Sequence, residues 1–116
     1  MKRIAMGFIA MLAFCTVSFA TPPDNTFSGE IMDSQCAILG GEHAKMQAKG
    51  ENAKDCTIRC VRIGGKYVLF DAAKKMRYQL DDQKKAEMFA GAKVTVTGSF
   101  DTATKTVHVS SIKPAA

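Results

Sequence analysis

The sequence has no tryptophan and only two histidines, His43 and His108. No serine, histidine and acid set with a recognisable local context occurs. There is no glycine-rich phosphate loop either, because Gly64-Gly65 opens a strand rather than a helix. Hydrolytic and nucleotide-binding chemistry are therefore without a motif, and no acid, base and nucleophile constellation can be named, so the chain reads as a binder rather than an enzyme. No internal repeat or low-complexity tract is visible. Long apolar runs are also missing, since the one over residues 4–19 falls short of the roughly 20 residues that a spanning helix needs.

That run has another reading. Lys2 and Arg3 precede it, Ser18 and Ala20 bracket Phe19, and Thr21-Pro22-Pro23-Asp24 follows at once. Basic, apolar and small-x-small is the order of a secretory signal, with cleavage expected after Ala20 and a periplasmic or secreted product. Leu12-Ala13-Phe14-Cys15 superficially resembles a lipid-attachment box, which would tether the protein through Cys15, but Phe14 is large where a small residue belongs. With the signal removed, 14 basic residues remain against 11 acidic ones, a charge of about +3. Interspersed charges of that size serve solubility and do not demand a nucleic-acid partner.

Residues 21–25 read as a flexible leader and 26–113 as one small domain. Alternation marks strands at 26–32, 66–70, 76–80, 92–100 and 106–112, with Gly29 a bulge or bend and Gly98 a point of relief in a coiled strand. Asp81 and Asp82 supply capping oxygens for a helix at 83–90 that Gly91 ends, with Ala86, Met88 and Phe89 as its buried side. Strand, long connection, hairpin, short helix, hairpin is the order of a mainly β, five-stranded OB-like Greek-key barrel. A cysteine-containing helical insertion over 33–65 separates strands 1 and 2. It holds one expected helix at 42–49 and another at 55–62, capped by Asn52 or Asp55 and stopped by Gly64-Gly65. Asp33 and Ser34 are placed to cap its first backbone groups.

The insertion gathers Cys36, His43, Cys56 and Cys60. Three thiols in an exported chain cannot all pair within one molecule. One reading is a disulfide from Cys36 to Cys56 or Cys60, which pins the insertion and leaves the protein a monomer or, through the spare thiol, a disulfide-linked dimer. A second is a Cys3His site for zinc or copper, and a third is a redox or partner-bonding thiol. Only the metal reading calls for a cofactor.

Asp33-Ser34-Gln35-Cys36, a later histidine, Cys56-Thr57-Ile58-Arg59-Cys60-Val61, and Ala90-Gly91-Ala92-Lys93-Val94-Thr95-Val96-Thr97-Gly98 together resemble a family of small exported bacterial proteins of unknown function. Members often carry the histidine within a few residues of the cysteine pair, whereas His43 lies well upstream. The resemblance implies an exported OB-like domain and brings no activity with it.

The first functional expectation is a binding module for an envelope protein or small ligand, with the insertion fastened by a disulfide. OB-type barrels bind on strands 2 and 3, where Lys66, Tyr67, Phe70, Arg77 and Tyr78 are the ligand-face residues, though alternate positions there must point into the core. Aromatic platforms with basic flanks suit nucleic acids or sugars, and export weighs against nucleic acid. The competing expectation is a metal-binding or thiol-redox protein built on the Cys/His set.

Overall fold

The computed structural model describes residues 24–41 and 50–115. The expected signal at 1–20, most of the leader, Cys15, the helix at 42–49 and His43 lie outside the described residues.

Five strands close into a ring in the order β1 (Asn25–Asp33), β2 (Tyr67–Asp71), β3 (Met76–Leu80), β5 (Thr106–Pro114), β4 (Lys93–Asp101) and back to β1. Every neighbouring pair is antiparallel except β3 and β5, which run parallel over Gln79–Thr106 and Leu80–Val107. The mainly β fold and its strands appear where alternation puts them. Ile31, Leu69, Val94, Val96 and Val107 are fully buried in the core, and Leu80 is nearly so, because a period of two sends every second side chain to one face. Phe27, Tyr78 and Phe100 pack as a triangle against this core, with ring centroids 5.0 to 5.7 Å apart.

β1 serves two neighbours. Its residues from Asn25 to Glu30 pair with β4, and those from Glu30 to Asp33 pair with β2. Gly29 sits beside this changeover. It makes no bulge there, since its register with Val94 is regular, but a Cβ would strike the Phe70 carbonyl, so the absent side chain is what admits β2. The bulge is at Gly98, between Thr97 and Gly98, where a Cβ would meet the His108 carbonyl.

Three helices complete the described structure: α1 (Ser34–Ile38), α2 (Ala53–Arg62) and α3 (Gln83–Glu87). α1 is not legible as a helix in the sequence, because five residues are too few to show a 3.6-residue period. Asp33 caps it through an Oδ2 that accepts the Cys36 N–H at 2.9 Å. α2 begins after Asn52, whose side chain accepts the Asp55 N–H at 2.8 Å, and its Ile58 and Val61 pack on the core inside the ring. α3 ends at Glu87, three residues earlier than expected, and Met88 is 77% exposed rather than buried. Ala86 and Ala90 are the residues pressed inward. Gln83 anchors α3 by treating Tyr67 as a strand neighbour, with its Oε1 accepting the Tyr67 N–H at 2.8 Å and its Nε2 donating to the Tyr67 carbonyl at 2.9 Å.

If Gly29 admits β2, Gly29→Ala should cost about 1–3 kcal/mol of stability. Ser28→Ala, one residue away and exposed, should stay within about 0.5 kcal/mol. Denaturant unfolding measures both.

Candidate functional site

Two places hold chemistry. The first is the insertion, where Cys36 of α1 and Cys56 and Cys60 of α2 are each fully buried. No disulfide joins them. Cys60 shares a hydrogen bond with Cys56 and is among the neighbours that raise the Cys36 thiol. Burial pushes the Cys36 thiol up to about 11, with added repulsion from Asp33, Cys60 and Glu30. Burial also pushes Cys56 up to about 12, helped by Cys60 and Glu51 and opposed by Arg59. Both are thiols rather than thiolates at neutral pH, and the thiol is the poor nucleophile of the pair.

Asp33 is fully buried, and its Oδ1 has no hydrogen-bond partner among the described residues. Its structural role as a cap is nevertheless direct. Ser34 does something other than capping: its Oγ accepts the Lys66 N–H at 3.2 Å while its own N–H donates to the Lys66 carbonyl at 2.8 Å. The two ends of the insertion are thereby clasped together. Among the described residues no group of three or more His, Cys, Asp or Glu side chains is arranged to hold a metal, and His43, the fourth expected ligand, lies outside them.

The second place is a groove of about 700 Å³ over the outer face of β2 and β3. Val68 contributes its apolar floor, joined by the edges of the core residues Tyr67 and Leu80; Ser34 and Ile38 of α1 form one wall, and Thr104, Lys105 and Thr106 at the β4–β5 hairpin form the other. Lys66 and Arg77 line it with exposed side chains, as expected for a ligand face. Of the three aromatic residues of that expectation Tyr67 also lines the groove, but all three are buried: Tyr67 at 4%, Phe70 at 7% and Tyr78 at 6% exposure. Tyr67 and Tyr78 belong to the core inside the ring. Phe70 points to the outer face, but it is covered there with Met32, Val68 and the α1 residues Cys36 and Ala37. β2 is thus buried on both faces, and alternation alone does not expose its ring.

The groove also draws on residues that sequence reasoning missed, namely Gln79 and the hairpin residues Thr104 to Thr106. The hairpin arrives because β5 pairs with β3, a contact between distant segments. A local signal did exist. Both hairpins carry Asp-x-Ala-x-Lys, and both fold alike: Asp71 Oδ1 accepts from the Ala73 and Lys74 amides, Asp101 Oδ1 from those of Ala103 and Thr104. The closing lysines, Lys75 and Lys105, both sit at φ 53°, a left-handed conformation uncommon outside glycine and asparagine.

Asp81 is the acidic member of the groove lining. Burial raises its carboxyl, but the Val109 N–H, which donates to Oδ1 at 2.8 Å, and His108, whose Nδ1 lies 3.1 Å from Oδ2, outweigh that and hold it below the usual carboxylate range. At neutral pH it is a carboxylate, with both oxygens occupied within the fold.

Two outcomes follow from these environments. In the reduced protein at neutral pH, Cys36 and Cys56 should resist a disulfide reagent until denaturant opens the fold; rapid native labelling would contradict the burial. Because the Asp81 carboxyl is depressed on folding, its contribution is full above the unfolded value near 3.8 and is lost as pH falls through the lower folded value. Asp81→Asn should cost under about 1 kcal/mol at pH 7, given its partial exposure, and should flatten stability loss below about pH 4. Unfolding curves at several pH values measure this.

A family described as a protein of unknown function (DUF5818) matches residues 60–115. The matched stretch runs from Cys60 through β5, so it takes in β2 to β5 and the strands of the groove but neither β1 nor Cys36. No curated protein and no solved structure matches the chain. The chain is therefore similar, over its second half, to a family whose function is unknown.

Proposed function

We propose that this protein is an exported OB-type binding module whose ligand lies in the β2–β3 groove. One observation carries the reading: the groove crosses strands 2 and 3 between the segment that follows β1 and the β4–β5 loop, the position that OB-type barrels use for ligands. The OB-type, Greek-key assignment is supported by the ring order, by the parallel β3–β5 contact and by a short helix between β3 and β4. The basic, apolar and small-residue order of residues 2–20 supports export to the periplasm or beyond.

Within this reading a disulfide from Cys36 to Cys60 fastens the insertion in the oxidising compartment. Cys60 is chosen over Cys56 because it is the sulfur that acts on Cys36. Cys56 then stays a sealed thiol, and the protein is a monomer. The module needs no cofactor; zinc or copper held by Cys36, His43, Cys56 and Cys60 is the competing reading. The partner is a small ligand or an exposed segment of an envelope protein.

Amide shifts of isotope-labelled protein, titrated with a panel of oligosaccharides, peptides and oligonucleotides, test the site. The expected shifts concentrate at Lys66 to Val68, Arg77 to Leu80 and Thr104 to Thr106. Shifts confined to α1 and α2, or to the outer faces of β4 and β5, would overturn it. Intact mass of protein recovered from the periplasm tests the rest. The expected product starts at Thr21, has lost two hydrogens, and yields a linked Cys36–Cys60 peptide. Three thiols together with bound metal would favour the competing site.

A further inference from the structure

We infer that the groove is built for an acidic sugar chain, a polymer of hydroxyl-rich units bearing carboxylates; this deepens the reading of the groove as the ligand site and rests on it. Three cations from separate parts of the chain line the groove: Lys66 ahead of β2, Arg77 on β3 and Lys105 at the β4–β5 hairpin. None of them has a carboxylate partner among the described residues, where Glu51 pairs with Arg59 and the Asp81 carboxylate lies against the His108 ring. The one carboxylate lining the groove, that of Asp81, is turned to His108 and to the Val109 amide, so three cations stand there against one anion. Positive charge is left unspent on one concave surface, and guanidinium and ammonium groups recognise carboxylates by charge-assisted hydrogen bonds.

Between the cations lie neutral groups suited to hydroxyls. Gln79 is exposed on the groove, and Thr104 and Thr106 stand together with their hydroxyls 2.9 Å apart. The buried rings remove stacking for sugar and base alike, so recognition here rests on charge and hydrogen bonds, which a carboxylated sugar chain supplies and which single-stranded nucleic acid uses alongside stacking. Single-stranded nucleic acid is held by bases stacked on exposed aromatic side chains, and Tyr67, Phe70 and Tyr78 present almost no ring surface.

The two hairpins supply a matched pair for testing the groove. Lys75 and Lys105 close twin loops at the same positive φ, where glycine is at ease and lysine is not. Because both lysines share it, the conformation belongs to the loop type and not to the groove. Lys105 lines the groove and Lys75 does not, so the two hairpins form an internal control.

Calorimetric titration of the protein with a short oligogalacturonate, a neutral dextrin and an oligothymidylate tests the inference. The expected result is binding of the galacturonate that weakens with salt, with the dextrin at least about tenfold weaker. Lys105→Gly should weaken galacturonate binding about fivefold and Arg77→Gln about tenfold, in keeping with charge-assisted bonds to an open site. Lys75→Gly should leave it unchanged, and both glycine variants should melt at a higher temperature than the parent, which shows that the loss is not one of folding. Tighter binding of oligothymidylate overturns the sugar chain. Equal binding of the neutral dextrin, with amide shifts still in the groove, overturns the acidic requirement and leaves the groove as a binding site. Galacturonate affinity that falls equally in Lys75→Gly and Lys105→Gly, or shifts that bypass the groove altogether, overturns the assignment of these residues.

Discussion

The ring closes because one strand is shared between two neighbours. β1 gives its first half to β4 and its second half to β2, with Glu30 paired to both Lys93 and Phe70. That requires the backbones of β1 and β2 to come together next to a residue without a side chain, and Gly29 supplies it. The rest of the structure depends on this arrangement. Closure brings β5 beside β3, carries the β4–β5 hairpin to the end of the β2–β3 face, and sets Lys105 in one groove with Lys66 and Arg77 from earlier in the chain.

The insertion shapes the same face from the other side. Its neck is clasped by the reciprocal Ser34 and Lys66 hydrogen bonds, and its first helix is nucleated by the Asp33 cap. α1 then lies over Val68 and Phe70 and becomes a wall of the groove. Covering Phe70 removes an aromatic platform and leaves the cations as the distinguishing chemistry of the surface. The buried thiols belong to the packing of this insertion. With their pKa values raised well above neutrality, Cys36 and Cys56 are suited to filling the interior and to slow oxidation rather than to turnover.

Much of the fold is legible in the sequence because it rests on short-range physics. Alternation and short apolar runs locate all five strands, and Asn52 and Asp82 are among the residues offered as caps, while the bulge falls at Gly98, read as a point of relief, and not at Gly29. What the sequence hides depends on distant parts of the chain. Tyr67, Phe70 and Tyr78 look available for a ligand because a strand covered on both faces, by the core and by α1, resembles locally one with a free face. Met88 looks buried because α3 is expected to run on past Glu87, whereas Ala86 and Ala90 allow an approach that larger side chains would block. Lys66 and Arg77 are legible as groove residues because they belong to the β2–β3 hairpin itself. Lys105 is not, since only the β3–β5 contact brings it there, although the twin Asp-x-Ala-x-Lys loops stand in plain sight.

The structure of the protein with a bound acidic oligosaccharide tests the central claim most directly. The sugar chain is expected to run across β2 and β3 between α1 and the β4–β5 hairpin, with carboxylates at Lys66, Arg77 and Lys105. An oligosaccharide seated elsewhere on the surface, or seated in the groove with its carboxylates turned away from all three cations, would contradict it.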